Sequence, residues 1–241
     1  MPVTFVTGLL DLGLDAPKDK TIEDRCRHFS SLINTGISLY LFLSPSYKSE
    51  YDRLIGDQPN VTIEYIEFTD LETYRCLEGI DYKIPSKLTK IKDTKSFMIM
   101  INAKIELVCR AKVKATHLAW IDFNVFHVFK KSDTPAYLQR LGDSEPQGLF
   151  IPGCWSPREP SFAAICWRFC GGFFIGDRAS IEKMYDTQKA MFKDIVITKG
   201  LAWEVNVWAW MEHTGKLKCT WLKANHNDTL IRLPEEAFSL K

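Results

Sequence analysis

The chain has 241 residues, of which 46% are hydrophobic, so it is long enough to bury a full core within one domain. Its 31 basic and 30 acidic residues leave a formal net charge of +1, which excludes the strong positive field of a nucleic-acid-binding protein. The 7 cysteines include no CxxC pair, so a zinc ribbon or thioredoxin-like site is disfavoured and reduced thiols are expected.

The start of the chain has no basic region ahead of its apolar run, which Asp11 and Asp15 interrupt. This pattern predicts neither a signal peptide nor a membrane span, and no other window is long and apolar enough to span. We therefore expect a cytoplasmic protein, with peripheral contact to the cytoplasmic membrane face left open. The sequence makes no prediction of oligomeric state.

Strand and helix patterns alternate along the first part of the chain. A β-branched run predicts a strand that stops at Gly8, and residues 21–36 then show a helical pattern. Thr21 and Asp24 have the spacing of a capping box, and Gly36 stands where the helix would stop. Together with the next two apolar runs, this order predicts an α/β sheet.

The rest of the chain continues the same kind of pattern, with two irregular insertions at about 70–92 and 156–172. We predict one helix over 96–115, and a turn at Gly176 and Asp177 followed by a long helix from about Ser180. Further strands are predicted over 37–44, 61–68, 116–129, 149–155, 173–176 and 216–224, and a further helix over 201–215.

A carboxylate directly follows the apolar strand pattern "LAWI". Asp122 should therefore emerge at the carboxyl end of a strand, which is where open α/β sheets bind ligands. Asn124 follows two residues later, and Asp-x-Asn offers two oxygen ligands suited to Mg²⁺ or Mn²⁺. The alternative for this short pattern alone is a capped strand end.

Two other segments add to this pattern. Gly171 and Gly172 immediately precede an apolar strand, where glycines allow close approach of a ligand or form a bulge. His226 and Asp228 lie near the end of the chain, on a segment with no core-forming pattern. An Asp-x-Asn at a strand end and a late histidine together favour a metal-dependent site.

Seven blocks are spread over nearly the whole chain, from residue 3 to about residue 234. They are "TFVTGLLDLG", "KDTKSFMIMINAKIELV", "THLAWIDFNVFHVF", "IPGCW", "WRFCGGFFIGD", "WEVNVWAW" and "ANHNDTLI". Together these blocks resemble the HtrL/YibB family, which includes the WlaTC proteins of bacterial surface-polysaccharide loci. The resemblance implies a single-domain type-A glycosyltransferase fold over 1–241, a Rossmann-like mixed sheet flanked by helices. The nucleotide-binding part would reach to about residue 130 and the acceptor-binding part would occupy 131–241.

The same resemblance implies a metal-dependent enzyme of polysaccharide biosynthesis. Its cofactor would be Mn²⁺ or Mg²⁺, its donor a UDP- or GDP-linked sugar, and its acceptor a glycan or lipid-linked saccharide. Asp122, Asn124 and His226 would hold the metal. Because the amide of Asn124 is neutral, Asp228 is the alternative ligand, or it binds a sugar hydroxyl.

The donor-binding residues implied by the resemblance include Thr7 and Gly8, which would face the nucleoside. Lys104 would bind a phosphate or a donor-sugar hydroxyl, with an ordinary solvated helix lysine as the alternative. The full donor set is Thr7, Gly8, Asn102, Lys104, Asp122, Gly171 and Gly172.

Glu204 stands at the start of a predicted helix, where type-A transferases often carry an acidic residue beside the acceptor. In an inverting reaction it would take the proton of the acceptor hydroxyl, with Asp177 as the second candidate for this catalytic role. The alternative for Glu204 is favourable placement in the first turn of a helix.

Aromatic residues outside the predicted helices are the candidates for acceptor binding. Trp155 and Trp167 would stack on a sugar, and Arg168 would assist the diphosphate leaving group or support the structure. We expect Trp203, Trp208 and Trp210 to be core residues, since they recur at near-helical spacing. His127 is a secondary candidate.

Two other functions are alternatives to the glycosyltransferase. One is a metal-dependent nucleotidyltransferase or phosphohydrolase that uses Asp122 and Asp228. The other is a non-catalytic carbohydrate-binding domain, which would bind sugar without Mn²⁺ and tolerate Asp122→Ala.

Overall fold

The computed structural model describes residues 2–13, 20–85 and 92–238. Its strands lie in one sheet, as the alternating sequence patterns predict. The strands are β1 (Val3–Leu9), β2 (Leu39–Leu43), β3 (Val61–Tyr65), β4 (His117–Ile121), β5 (Leu149–Gly153), β6 (Phe173–Asp177) and β7 (Thr220–Lys223). Their order across this 7-stranded sheet is β3-β2-β1-β4-β6-β5-β7.

The helices pack on both faces of this sheet. Thr21 caps the first of them by accepting a hydrogen bond of 3.1 Å from the backbone N–H of Asp24, which confirms the predicted helix start. The helices are α1 (Ile22–Ile33), α2 (Lys48–Leu54), α3 (Glu72–Arg75), α4 (Lys95–Asn102), α5 (Lys104–Arg110), α6 (Thr134–Gly142), α7 (Arg178–Lys199) and α8 (Glu204–His213).

The prediction of one helix over 96–115 is wrong in part. Ala103 has φ −81° and ψ −2°, which ends α4 and begins α5, and α5 itself ends at Arg110. Apolar periodicity continues across the break, so the sequence pattern does not show it. The break places Lys104 at the first position of α5, where its side chain enters the interior.

Strand direction decides which residues meet at each edge of the sheet. β1, β2, β3 and β4 run parallel, so their carboxyl ends share one edge. β6 runs antiparallel to β4, with Ile121 opposite Phe173. The residues before β6 therefore lie beside those after β4. At the opposite edge, Asp177 pairs with His117.

The central strands are buried on both faces, which explains their nearly continuous apolar sequence. On one face, side chains such as Val6 and Trp120 pack against α4, α5, α7 and α8. On the other, Phe5 and Ile121 pack against α1 and α6, with Phe29 among their partners. The result is a three-layer arrangement that leaves the carboxyl edge of the parallel strands for the site.

Of the helices in the described part of the chain, none combines the length and apolar character needed to cross a bilayer.

Candidate functional site

A cavity of about 770 Å³ opens at the carboxyl edge of the parallel strands. Gly8 from β1 and Asp122 after β4 line it, which is where an open α/β sheet binds ligands. Gly171, Glu204 and His226 line the same cavity, so segments distant in the sequence meet there.

Lys104 is buried at the centre of this cluster. Its ammonium group lies 2.9 Å from the carbonyl oxygen of Gly171, 2.9 Å from Glu204 Oε1 and 3.0 Å from Asp122 Oδ1. A lysine ammonium has three hydrogens, so all of them are directed to protein acceptors. Burial alone would lower the pKa of Lys104, but the two carboxylates raise it above its usual range.

This geometry changes the role expected for Lys104. With its three hydrogens taken, the ammonium has none left for a donor phosphate. Its contacts instead fix the positions of Asp122, Glu204 and the Gly171 peptide, so it acts as a positioning residue. Its side chain is 7% exposed, which also excludes the solvated surface lysine.

Asp122 is held through one of its two carboxylate oxygens. Trp120 Nε1 donates a hydrogen bond of 2.7 Å to Oδ1, the same oxygen that contacts Lys104. Trp120 and Asp122 are two residues apart along the strand, so their side chains point to the same side. Within the described residues no donor reaches Oδ2, and the side chain is 35% exposed. Oδ2 is thus the oxygen available to a ligand.

Of the two glycines before β6, Gly171 is the one that allows close packing at this point. A side chain at Gly171 would place its Cβ 1.9 Å from Glu204 Oε1, so Glu204 would have to shift from its position beside Lys104. A Cβ at Gly172 would lie 3.6 Å from Asp122 Oδ2, an ordinary contact. The backbone N–H of Asp122 also donates to the Gly172 carbonyl at 3.0 Å.

Glu204 begins α8, as predicted, and is 3% exposed. Its Oε1 contacts Lys104, while Oε2 is a buried acceptor without a hydrogen-bond donor among the described residues. Burial raises the pKa of Glu204, and the adjacent Lys104 charge opposes that shift. A buried acceptor on a cavity wall is a place for a ligand hydroxyl.

Three of the predicted metal ligands line the cavity together, namely Asp122, Asn124 and His226. Their donor atoms are a carboxylate oxygen, an amide oxygen and an imidazole nitrogen, a set that suits Mn²⁺ better than Mg²⁺. Partial burial lowers the pKa of His226, although Asp122 opposes this, so the neutral imidazole is favoured. The free Oδ2 of Asp122 is the observation that makes these residues fit a divalent ion.

Asp228 is not brought to the cavity, contrary to its predicted place at the metal. It is 3% exposed, and its carboxylate accepts hydrogen bonds from the backbone N–H groups of Lys130 and Lys131 and from the Thr134 hydroxyl. These donors occupy its oxygens. Asp228 therefore anchors the segment before α6.

Asp177 also lies away from the cavity, at the opposite edge of the sheet. It caps α7, accepting from the backbone N–H of Ser180 at 2.8 Å, and it accepts from Gly148 N–H at 2.6 Å. Because β6 is antiparallel to β4, the end of β6 cannot reach the carboxyl edge. Its expected catalytic role does not agree with this position.

Of the three predicted acceptor-binding residues, the structure places Trp167 on the cavity wall and Trp155 and Arg168 away from it. Arg168 is 4% exposed and makes two hydrogen bonds to Glu212, of 2.7 and 2.6 Å, and one of 3.1 Å to the Trp155 carbonyl. Neither Arg168 nor Trp155 lines the cavity, and the Arg168 guanidinium is directed to Glu212 and to the Trp155 carbonyl. Trp167 does line the cavity, with its ring centroid 4.3 Å from that of His226.

Two of the expected donor-binding residues are buried behind the cavity wall. Thr7 is fully buried in β1, and its neighbour Gly8 is the residue that reaches the cavity. The Asn102 amide donates hydrogen bonds of 2.8 Å each to the carbonyls of Met98 and Ala202. Asn102 therefore ties α4 to the segment before α8.

Several residues that line the cavity were not predicted from the sequence. Trp203, expected in the core, lies on the wall with its ring centroid 6.2 Å from that of Trp167. The i, i+2 alternation in β4 was a signal for Trp120, whereas no sequence signal placed Trp203. Three cationic side chains also line the cavity: Lys20, Arg25 and Lys92.

The structure is similar to that of a known transferase. Mouse xyloside xylosyltransferase 1 superposes with a TM-score of 0.51 at 8% sequence identity, over 92% of this chain and 84% of that one. This chain has the fold of a type-A glycosyltransferase. The mixed α/β sheet predicted from the sequence is thereby confirmed.

Two other proteins show weaker structural similarity to this chain. Rv0371c from Mycobacterium tuberculosis H37Rv gives a TM-score of 0.42 at 12% identity, over 92% of this chain and 87% of that one. The 4-diphosphocytidyl-2C-methyl-D-erythritol synthase of Anaerococcus prevotii gives 0.42 at 6%, over 96% and 89%. No protein-family model and no curated protein sequence matches the chain, so the resemblance to the HtrL/YibB family stays a prediction.

Proposed function

We propose that this protein is a glycosyltransferase that moves a sugar from a UDP- or GDP-linked donor to a glycan or lipid-linked saccharide. The observation that carries the proposal is the different surroundings of the two carboxylate oxygens of Asp122. It stands at the carboxyl end of β4, with Oδ1 fixed by Trp120 and Lys104 and Oδ2 left to the cavity. The sequence resemblance to the HtrL/YibB family and the type-A fold support the same assignment.

The cavity is suited to a nucleoside diphosphate. Lys20, Arg25 and Lys92 place positive charge on its lining, which attracts the donor diphosphate. Gly8 contributes no side chain where β1 meets the cavity, so the nucleoside can approach the strand closely.

In this proposal Asp122, Asn124 and His226 hold a Mn²⁺ or Mg²⁺ ion. When bound, the ion supplies a positive charge that stabilises the departing diphosphate. Lys104 keeps Asp122 in place, so that its Oδ2 is oriented towards the cavity before the ion arrives. Such preorganisation is what a metal site requires of the groups around its ligands.

Glu204 and two aromatic rings would serve the acceptor side. Glu204 Oε2 accepts a hydrogen bond from the acceptor hydroxyl and then its proton, in an inverting reaction. Trp167 and Trp203 present aromatic surface to the apolar face of a sugar ring.

The first test is binding of nucleoside diphosphates and nucleotide sugars, measured by thermal shift and calorimetry with and without Mn²⁺. We expect one nucleotide to stabilise the protein in a Mn²⁺-dependent way, by about 2.7 kcal/mol when the ligand is at 100 times its Kd. Asp122→Asn should abolish the Mn²⁺ dependence. Asp228→Asn is the matched control, since that carboxylate lies outside the cavity. This variant should retain the Mn²⁺ dependence of nucleotide binding. Absence of binding by any nucleotide would refute the proposal.

The second test identifies the reaction. A glycosyltransferase releases a nucleoside diphosphate only when an acceptor saccharide is present, whereas a nucleotidyltransferase releases pyrophosphate from a nucleoside triphosphate. Glu204→Gln should lower kcat by at least about 100-fold while leaving donor affinity nearly unchanged, since Gln cannot accept the proton. Loss of donor binding in this variant would instead assign Glu204 a structural role.

A further inference from the structure

Two cysteines and a histidine meet beside one wall of the cavity, which Cys170 and His226 line. Cys154 Sγ and Cys170 Sγ are 3.5 Å apart, and a nitrogen of His226 lies with them, all three atoms within 4.8 Å of one another. Among the described residues this is the group of three histidine, cysteine or acidic side chains with the spacing of metal ligands. The sequence did not reveal it, because the cysteines are 16 residues apart and form no CxxC pair.

Backbone hydrogen bonds hold the segments that carry the two cysteines side by side. The Cys170 N–H donates to the Pro152 carbonyl at 2.7 Å, and the Cys154 N–H donates to the Trp167 carbonyl at 2.9 Å. On the other side of β5, the Ala224 N–H donates to the Gly153 carbonyl at 2.8 Å. The two sulfurs are therefore held together by backbone contacts, and His226 follows three residues after the end of β7.

We propose that Cys154, Cys170 and His226 bind one zinc ion through two thiolates and one imidazole. Zinc takes sulfur ligands at about 2.3 Å, which in a tetrahedral site places two sulfurs about 3.8 Å apart. The observed separation of 3.5 Å needs only a small adjustment. Binding releases the two thiol protons to solvent, so zinc is exchanged for protons and no oxidant is required.

The ligand set distinguishes this site from the one proposed for Mn²⁺. Thiolates favour zinc over hard cations such as Mg²⁺ and Mn²⁺, which prefer oxygen. Three protein ligands leave the fourth position of zinc to water or to an oxygen of a bound molecule. Cys170 and His226 both line the cavity, so zinc would be bound in its wall.

The two metal sites share His226. Zinc binding should therefore weaken Mn²⁺-dependent nucleotide binding, because it commits the His226 imidazole to zinc and places a second positive charge beside the Mn²⁺ site. This consequence rests on the proposed function, whereas zinc binding itself does not.

The test uses the full chain, kept reduced and freed of metal, with thiols counted after denaturation. Zn²⁺ is titrated against a chromophoric chelator, and Cd²⁺ reports thiolate ligands by its ultraviolet charge-transfer band. We expect one ion per chain. Cys154→Ser and His226→Gln should each weaken binding by more than about 100-fold, beyond the 10–100-fold effect of residues outside the ligand shell.

Cys219→Ser is the matched control, since this half-buried thiol lies outside the cluster, and it should leave affinity and the charge-transfer band unchanged. Thermal unfolding of each variant without metal shows that it is folded. Sub-stoichiometric binding by the reduced protein, or a band that survives Cys154→Ser, would overturn the zinc site. Zinc binding without any effect on nucleotide binding would leave the site standing and reject only the sharing of His226.

Discussion

Lys104 Nζ and Glu204 Oε1 lie 2.9 Å apart across 100 residues of sequence, and their side chains are 7% and 3% exposed. Asp122 is the third member of this charged group, at 3.0 Å from the same ammonium. Because removal of one partner leaves a buried charge uncompensated, the group is sensitive to each of its members.

The first prediction is a double-mutant cycle on this pair. Lys104→Met should lower the free energy of unfolding by about 3–5 kcal/mol, since it leaves the Glu204 carboxylate buried without a counter-charge. Glu204→Gln should cost less, because Asp122 still balances Lys104. In the double variant the loss should be smaller than the sum of the two by at least about 1 kcal/mol, measured by urea denaturation. Additive losses would mean that the two side chains are not coupled.

A second prediction compares the adjacent glycines. Gly171→Ala places a methyl group 1.9 Å from Glu204 Oε1 and should cost about 1–3 kcal/mol of stability, because Glu204 must move from Lys104. Gly172→Ala meets Leu230 at 3.5 Å and Asp122 at 3.6 Å, so its effect should stay within about 0.5 kcal/mol. Thermal and urea unfolding measure both. Equal changes in stability for the two variants would show that the Glu204 side chain can move aside without destabilising the protein.

The third prediction concerns Arg168, which the sequence suggested as a ligand-binding residue. Arg168→Ala should lower the free energy of unfolding by about 3–5 kcal/mol, because it removes a buried pair with Glu212 and a contact 4.7 Å from the Trp221 ring centroid. Arg158→Ala is the control, since this exposed arginine stacks on Trp155 and should cost less than about 1 kcal/mol. Nucleotide affinity of the folded Arg168→Ala protein should equal that of the wild type. A loss of nucleotide affinity in a variant that is still folded would show instead that Arg168 contributes to ligand binding.

The fourth prediction is a pH dependence of stability that arises from Asp228. Burial alone would raise its pKa, but the hydrogen bonds from Thr134 and from the backbone N–H groups of Lys130 and Lys131 lower it. A carboxyl with a lowered folded pKa stabilises the protein above its unfolded pKa of about 3.9, and this stabilisation is lost as pH falls through the folded value.

Asp228→Asn should therefore cost about 1–3 kcal/mol at neutral pH, because it weakens hydrogen bonds to a charged group. The difference from wild type should shrink as the pH falls below about 4. Urea unfolding across this pH range measures it. A difference that stays constant with pH would assign the effect to packing and not to the charge.

Local patterns predicted those features of the fold that depend on nearby residues. The cap formed by Thr21 and the helix start at Glu204 each follow from a short segment, and both are observed. Asp122 was placed correctly at a strand end, because a charged residue after an apolar run marks where the strand leaves the core. Its metal role remains a prediction.

Other features depend on strand direction and long-range contacts that a single sequence does not encode locally. Asp177 looked similar to Asp122 as an acid at a strand end, but the antiparallel direction of β6 puts it at the opposite edge. Asp228 lies two residues from His226, yet its carboxylate caps a distant backbone segment. The burial of Lys104 could not be predicted from the segment around it, because the side chain is buried against Glu204 of α8, which lies 100 residues later.

The order in which the charges are compensated has a kinetic consequence. A contact that closes a loop of 100 residues carries a larger loop-closure entropy than local contacts, so we expect it to form after them. Until α8 docks, Lys104 lacks its Glu204 partner, and desolvating its ammonium is unfavourable. The surroundings of Lys104 should therefore stay hydrated until α8 docks, since Asp122 compensates the ammonium only at the partly exposed edge of the site and Glu204, in the last third of the chain, completes the buried group.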